Sequence, residues 1–150
     1  MDKHVNVEEL LAEGNIIRKK IKGYSMYPML LPDRDEVLIQ KVNPATLKRG
    51  DVVLYRREHS ILVLHRIWKR KGDKFYTVGD NQSKIEGPLD AGQIKGKMIG
   101  FIRKGKHISA EGLFYRLCSG VWLRLRPVRP YLSKAVHEIK KIKKAREEEK

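Results

Sequence analysis

A serine, a histidine and an aspartate stand in three separate short boxes of this chain. Ser25 lies in Gly23-Tyr24-Ser25-Met26-Tyr27-Pro28-Met29-Leu30, His65 in Leu64-His65-Arg66-Ile67, and Asp80 in Val78-Gly79-Asp80-Asn81. A hydroxyl, an imidazole and a carboxylate can serve as nucleophile, general base and the group that orients the base. The serine box suits an exposed hydroxyl. Gly23 has no Cβ and lets a substrate backbone come close, and Pro28 fixes the turn that follows while donating no hydrogen bond. Histidine needs no special environment for the task, because an ordinary pKa of ~6.5 leaves much of it neutral near pH 7. A lysine base, at ~10.4, first needs heavy desolvation. The chemistry open to such a set is attack on a carbonyl, with proton transfer through the imidazole and a donor for the developing oxyanion.

Each box alone is a weak signal; their order is a stronger one. Gly-x-Ser-Met-x-Pro-x-Leu, then Arg49-Gly50-Asp51-Val52-Val53, then His-Arg-Ile, then Gly-Asp-Asn, resembles the signal peptidase I family over residues 15–105. The base position separates types within that family. Bacterial signal peptidases and the related self-cleaving repressors carry lysine there, whereas His65 resembles the archaeal and endoplasmic-reticulum type. The resemblance implies a serine endopeptidase with Ser25 as nucleophile and His65 as general base, cutting an extended peptide after small side chains. For the acid that orients His65 it offers Asp80 first and Asp90 second; Glu86 lies in the same region, and spacing does not choose between Glu86 and Asp90. Bacterial relatives place a serine hydroxyl two residues before the nucleophile. Gly23 occupies that place here, so the Ser25 N–H is expected as one oxyanion donor and the other is unidentified. Gly23, Ser25 and Met26 are expected along the substrate groove. The Gly50-Asp51 pair is expected to be a structural turn.

Several elements must hold these boxes. Residues 6–13 have the marks of a short helix, with Asn6 as cap and Glu8 and Glu9 in the first turn. Residues 15–22 alternate as the strand leading to Ser25. Strands are expected over 36–42, 51–56, 61–69, 75–78 and 93–103, with a polar loop over 82–92. On the central strand Ile61, Val63, His65 and Ile67 share one face, and Leu62, Leu64, Arg66 and Trp68 the other. Short strands between Gly and Pro turns predict a mainly β fold, and the resemblance makes it a coiled multi-stranded domain of the signal peptidase and repressor-protease type over residues 1–108. Residues 109–150 read as a basic helical extension. Leu113, Phe114, Leu117, Cys118, Val121, Trp122 and Leu125 recur at helical spacing; Ala135, Val136, Ile139 and Ile142 repeat the pattern before residues 147–150, which are expected to fray.

Charge and composition limit the partners. The net charge is +15, and residues 103–150 hold 14 Lys or Arg against 5 Glu. Such a tail fits an anionic partner. Cationic amphipathic helices with an aromatic residue suit a membrane interface, so peripheral membrane contact through residues 109–146 is expected. Helices packing on the β domain or on a second copy are the alternative. Nucleic acid is not expected. With one cysteine, Cys118, no internal disulfide can form. The five histidines lack paired cysteines, so no metal and no cofactor are expected. Gly92, Gly96 and Gly100 lack the Lys-Ser/Thr ending of a phosphate loop. No window approaches the ~20 apolar residues needed to span a bilayer, and the first 13 residues lack an apolar signal core. The expected location is the cytoplasm or the cytoplasmic face of the membrane. Two other readings compete: a repressor-type self-cleaving domain, disfavoured by His65 and by the lack of a helix-turn-helix before residue 15, and a non-enzymatic module using its basic tail.

Overall fold

A computed structural model describes residues 6–57 and 61–148. Residues 1–5, 58–60 and 149–150, with His4 and His59 among them, lie outside this range. Helix α1 (Val7–Ala12) begins where the Asn6 side chain accepts a hydrogen bond from the Glu8 N–H at 3.1 Å, and it buries Leu11. Eight antiparallel strands follow: β1 (Ile17–Lys20), β2 (Asp35–Gln40), β3 (Val52–Arg56), β4 (Leu62–Lys71), β5 (Lys74–Val78), β6 (Glu86–Asp90), β7 (Ile94–Arg103) and β8 (Lys106–Ser109). They pair in the order β1-β2-β7-β3-β4-β5-β6. The long β7 has β2 along one edge, while β3 and then β8 share the other. The mainly β fold with C-terminal helices is therefore as the sequence predicts.

Two strands depart from expectation. β6 falls inside the expected polar loop and carries Gly87-Pro88. Only Leu89 of its five residues is buried, so it has no strand-like alternation, and a terminal sheet position tolerates its proline. β8 is four mostly exposed residues that pair with β7 after the strand expected to be last, and it spans the boundary expected at residue 108.

The two faces of the sheet carry separate cores. Leu11, Met26, Leu30, Val37, Ile39, Val52, Leu54, Met98 and Phe101 form one; Leu47, Val53, Tyr55, Ile67, Phe75 and Leu89 form the other. β3 divides them by its pleat, sending Val52 and Leu54 one way and Val53 and Tyr55 the other. β4 does the same: Leu62 and Leu64 pack on the first core, Val63 and Ile67 on the second.

Helix α2 (Leu113–Arg124) lies on the sheet, and α3 (Arg129–Glu148) follows a single 3₁₀ turn, Arg126–Val128. The helical spacing holds, yet the packed face of α2 is Tyr115, Ser119 and Leu123, while most of the apolar stripe legible in the sequence faces outward. Among the described residues no helix is long and apolar enough to cross a membrane.

Candidate active site

Ser25 sits in the turn between β1 and β2. Gly23, two residues earlier, adopts φ +74°, a left-handed conformation that favours glycine. Met26 and Leu30, both buried in the first core, peg the turn down on the far side. The loop after β5 grips Ser25 from above: the Asn81 N–H donates to the Ser25 carbonyl at 2.9 Å. Gly79 permits this approach, because a Cβ there would meet the Ser25 carbonyl oxygen at 2.7 Å.

That loop is itself anchored. Asp80 is fully buried and accepts two hydrogen bonds from Arg66, Nε to Oδ1 and Nη2 to Oδ2, each at 2.8 Å. Arg66, equally buried, also donates to the Gly50 carbonyl at 2.9 Å and the Tyr115 hydroxyl at 3.1 Å. Burial alone would discourage its charge, but Asp80 and Tyr115 more than offset that and hold it firmly protonated. One guanidinium thus ties the His-Arg-Ile, Arg-Gly-Asp and Gly-Asp-Asn boxes together, and Asn81 passes the tie on to Ser25. Asp51 braces the second of these: it pairs with Arg116 of α2 at 3.0 Å and caps the turn by accepting from the Lys48 N–H. The Gly50-Asp51 pair is the structural turn the sequence suggests.

His65 points the opposite way from Arg66, as adjacent strand residues must. It faces Tyr55, whose hydroxyl lies 3.2 Å from Nδ1. Tyr55 is set there by register: Val53 is directly opposite His65, and Tyr55 is two residues along on the same face. The Tyr55 hydroxyl in turn donates to Glu86, which β6 places opposite Thr77. Glu86 also receives Arg57, and its Oε2 is 3.8 Å from His65 Nδ1. Burial would raise the Glu86 pKa, but the hydrogen bonds from Arg57 and Tyr55 bring it below the ordinary value, so it is a carboxylate.

This chain of donors fixes the imidazole. An ionised carboxylate only accepts, so Tyr55 gives its proton to Glu86. Thr77 donates to the same phenol oxygen at 3.2 Å. Nδ1 must therefore be the protonated nitrogen, donating to Tyr55, and Nε2 keeps its lone pair. Burial and the Glu86 hydrogen bond push the Tyr55 pKa far above its usual value, so the phenol stays protonated. His65 itself is only 3 % exposed, and desolvation lowers its pKa despite the opposing pull of Glu86. The result is a neutral imidazole with a defined tautomer.

The acid beside His65 is thus Glu86, acting through Tyr55. Asp80, expected first in this role, is on the Arg66 side and committed to it. Asp90, expected second, pairs with Lys74 at the other end of β6 and is well exposed.

Ser25 and His65 line one open groove of about 560 Å³, together with Met26, Val37, Ile39 and Leu62. No hydrogen bond joins the Ser25 hydroxyl to the imidazole in this structure. Among the described residues the Ser25 N–H donates no backbone hydrogen bond. Gly23, unlike Ser25 and Met26, is not among the residues lining the groove. A second cavity of about 670 Å³ shares Arg57, His65 and Gln82 with the first. The groove floor is apolar and its rim carries Lys19, Lys20, Lys22, Arg56 and Arg57.

The sequence gives no site role to Tyr55, Gln82, Trp122 or Arg129. Gln82 lines both cavities. The Trp122 indole N–H donates to the Asp80 carbonyl at 2.6 Å, and buried Arg129 donates to the carbonyls of Gly79 at 3.0 Å and Gln82 at 2.7 Å. The C-terminal helices therefore clamp the loop that holds Ser25. Among the described residues no group of three or more His, Cys, Asp or Glu is placed to hold a metal ion. Comparison of the chain with models of known protein families finds none that matches.

Proposed function

We propose that this chain is a serine endopeptidase of the signal peptidase type that removes a leader or signal segment from a peptide or protein, acting in the cytoplasm or at the cytoplasmic face of a membrane. Ser25 is the nucleophile, His65 Nε2 takes its proton, and the Ser25 N–H receives the oxyanion, with the Gln82 amide as a second donor. The observation that carries this reading is the His65–Tyr55–Glu86 chain. It leaves a neutral base with its free nitrogen defined, in the wall of the groove that also holds Ser25.

The groove supports an extended substrate. Among the described residues β1 pairs only with β2, which leaves its other edge open. β5 pairs with β4 only from Arg66 onward, so among the described residues the stretch 62–64 also leaves an edge free. Both edges border the groove, and a peptide can add between them as a strand. Apolar floor residues suit small side chains near the cut, and the basic rim favours acidic residues beside them. The same geometry supports the finer fold assignment, a coiled sheet of the signal peptidase and repressor-protease type.

The test is cleavage of signal-like peptides with small residues before the scissile bond, followed by mass spectrometry. Parent protein cuts; Ser25→Ala and His65→Ala do not, with kcat lower by at least about a thousandfold. Cleavage that survives both substitutions overturns the assignment. Inactivity of all three across acidic and neutral peptides favours a non-enzymatic binding module.

A further inference from the structure

The C-terminal third leaves a long apolar surface uncovered. On α2, Leu113 is 86 % exposed, Phe114 80 % and Leu117 64 %. These residues, with Val121 and Leu125, form one face; the opposite face, Tyr115, Ser119 and Leu123, is fastened to the sheet. On α3, Leu132, Val136, Ile139 and Ile142 recur at helical spacing and all are exposed. Beyond Arg129 every residue of α3 whose burial is described is exposed.

Charge accompanies this surface. Residues 113–148 hold ten Lys or Arg against three Glu. Lys140, Lys141, Lys143 and Lys144 repel one another at helical neighbour spacings, and the pair Lys144–Glu148, at 3.9 Å and largely exposed, offsets little of it. A 20-residue helix whose described residues beyond buried Arg129 are all exposed, with this repulsion, is marginal in water. A surface that takes up the apolar stripe and neutralises the lysines removes both defects. A second copy brings equal positive charge and answers only the first. Nucleic acid answers only the second, leaving Phe114, Leu117 and Ile139 in water. An anionic bilayer answers both, with lysine stems lying along the interface and their ammonium groups at the phosphates.

We propose that α2 and α3 dock this protein on an anionic lipid surface. The apolar residues of α2 and α3 enter the headgroup boundary and the lysines of α3 contact the phosphates. Because the inner face of α2 is fixed to the sheet, docking also sets the orientation of the β domain on the membrane.

The experiment is co-sedimentation of the full chain with vesicles, and it involves no cleavage, so it can fail independently of the peptidase reading. Vesicles of phosphatidylcholine with phosphatidylglycerol should bind at least about tenfold better than phosphatidylcholine alone at low salt, with release at high salt. Val136→Glu combined with Ile139→Glu should reduce binding by at least about tenfold. Replacing Lys140, Lys141, Lys143 and Lys144 with Gln should do the same. These positions are all exposed, so unchanged thermal melting confirms that the β domain stays folded. Equal binding to neutral vesicles, or binding unaffected by either set, overturns the proposal. So does a concentration-dependent dimer in lipid-free sedimentation that the Val136/Ile139 variant abolishes, which assigns the stripe to a second copy. Tight binding to a DNA duplex that is indifferent to that variant, without vesicle binding, assigns the charge to nucleic acid.

Discussion

His65 and Arg66 follow one another along β4 and meet opposite faces of the sheet. Arg66 is a permanent charge with no exposure, matched by the bidentate carboxylate of Asp80 and two further acceptors. His65 is a titratable group that burial keeps neutral, with its nearest carboxylate held one phenol away. A fixed charge, fully paired, can position a backbone. A base must be able to take a proton, so it cannot sit in a pair that strong without losing its range. The two carboxylates of this region are divided accordingly: Asp80 serves architecture and Glu86 serves the imidazole.

The largest effect should come from the Arg66 side. Asp80→Ala leaves a guanidinium buried without its counter-charge, which costs about 3–5 kcal/mol. In a chain of this size that lowers Tm by roughly 10 °C or more. Asp90→Ala, which removes an exposed pair with Lys74, should leave Tm within a couple of degrees of the parent. Thermal melting of the two variants separates the roles. If Asp80→Ala melts within a couple of degrees of the parent, the buried pair is not the scaffold.

The His65 side should answer in rate rather than stability. Tyr55→Phe removes the hydroxyl between Nδ1 and Glu86 while preserving the ring in the second core. On the peptidase reading it should lower kcat roughly ten- to a hundredfold, about 1.5–3 kcal/mol for a lost hydrogen bond to a charged group, with KM nearly unchanged. Glu86→Gln should fall in the same range. The comparison breaks if Tyr55→Phe retains full kcat while Asp80→Asn, assayed well below its melting temperature, loses it; Asp80 would then orient the base after all.

Much of this site is legible in the sequence because it is local. Ser25 and His65 stand out by type and by box, and alternation along residues 61–68 places His65 and Arg66 on opposite faces. Which acid meets which face is not local. It depends on the pairing of β5 with β4, where Val78 comes opposite Arg66 and the register slips between Ile67 and Lys69. It depends also on β6, whose Gly-Pro pair and single buried residue conceal a strand. Glu86 reaches Tyr55 only because that strand exists. The C-terminal helices show the same limit. Periodicity reveals a helix over 113–124 but not which side it buries, since Leu113, Phe114 and Leu117 look like core and are not. Trp122 and Arg129 carry no pattern that ties them to a loop some forty to fifty residues away.

The smallest effects should be the most diagnostic, because they concern the environment of one nitrogen. The His65 ring, followed by NMR, should titrate below 6.5, as burial dictates. Glu86→Gln removes the leading group that raises its pKa and should move the midpoint further down. Arg57→Gln removes a charge that lowers it and should move it up; Asp80→Asn should shift it downward less than Glu86→Gln does. Stability follows with a determined sign. The folded imidazole binds its proton less readily than the unfolded one, so the unfolded state gains protons first as pH drops below 6.5. Stability should therefore fall over that interval and level off below the folded pKa. Glu86, depressed from 4.5, adds a separate loss as pH falls from there through its folded value. His65→Gln should flatten the upper limb of the Tm–pH curve and spare the lower one. An unchanged upper limb would mean that His65 is solvated enough to titrate normally, and the distinction between the two faces of β4 would then rest on Arg66 alone.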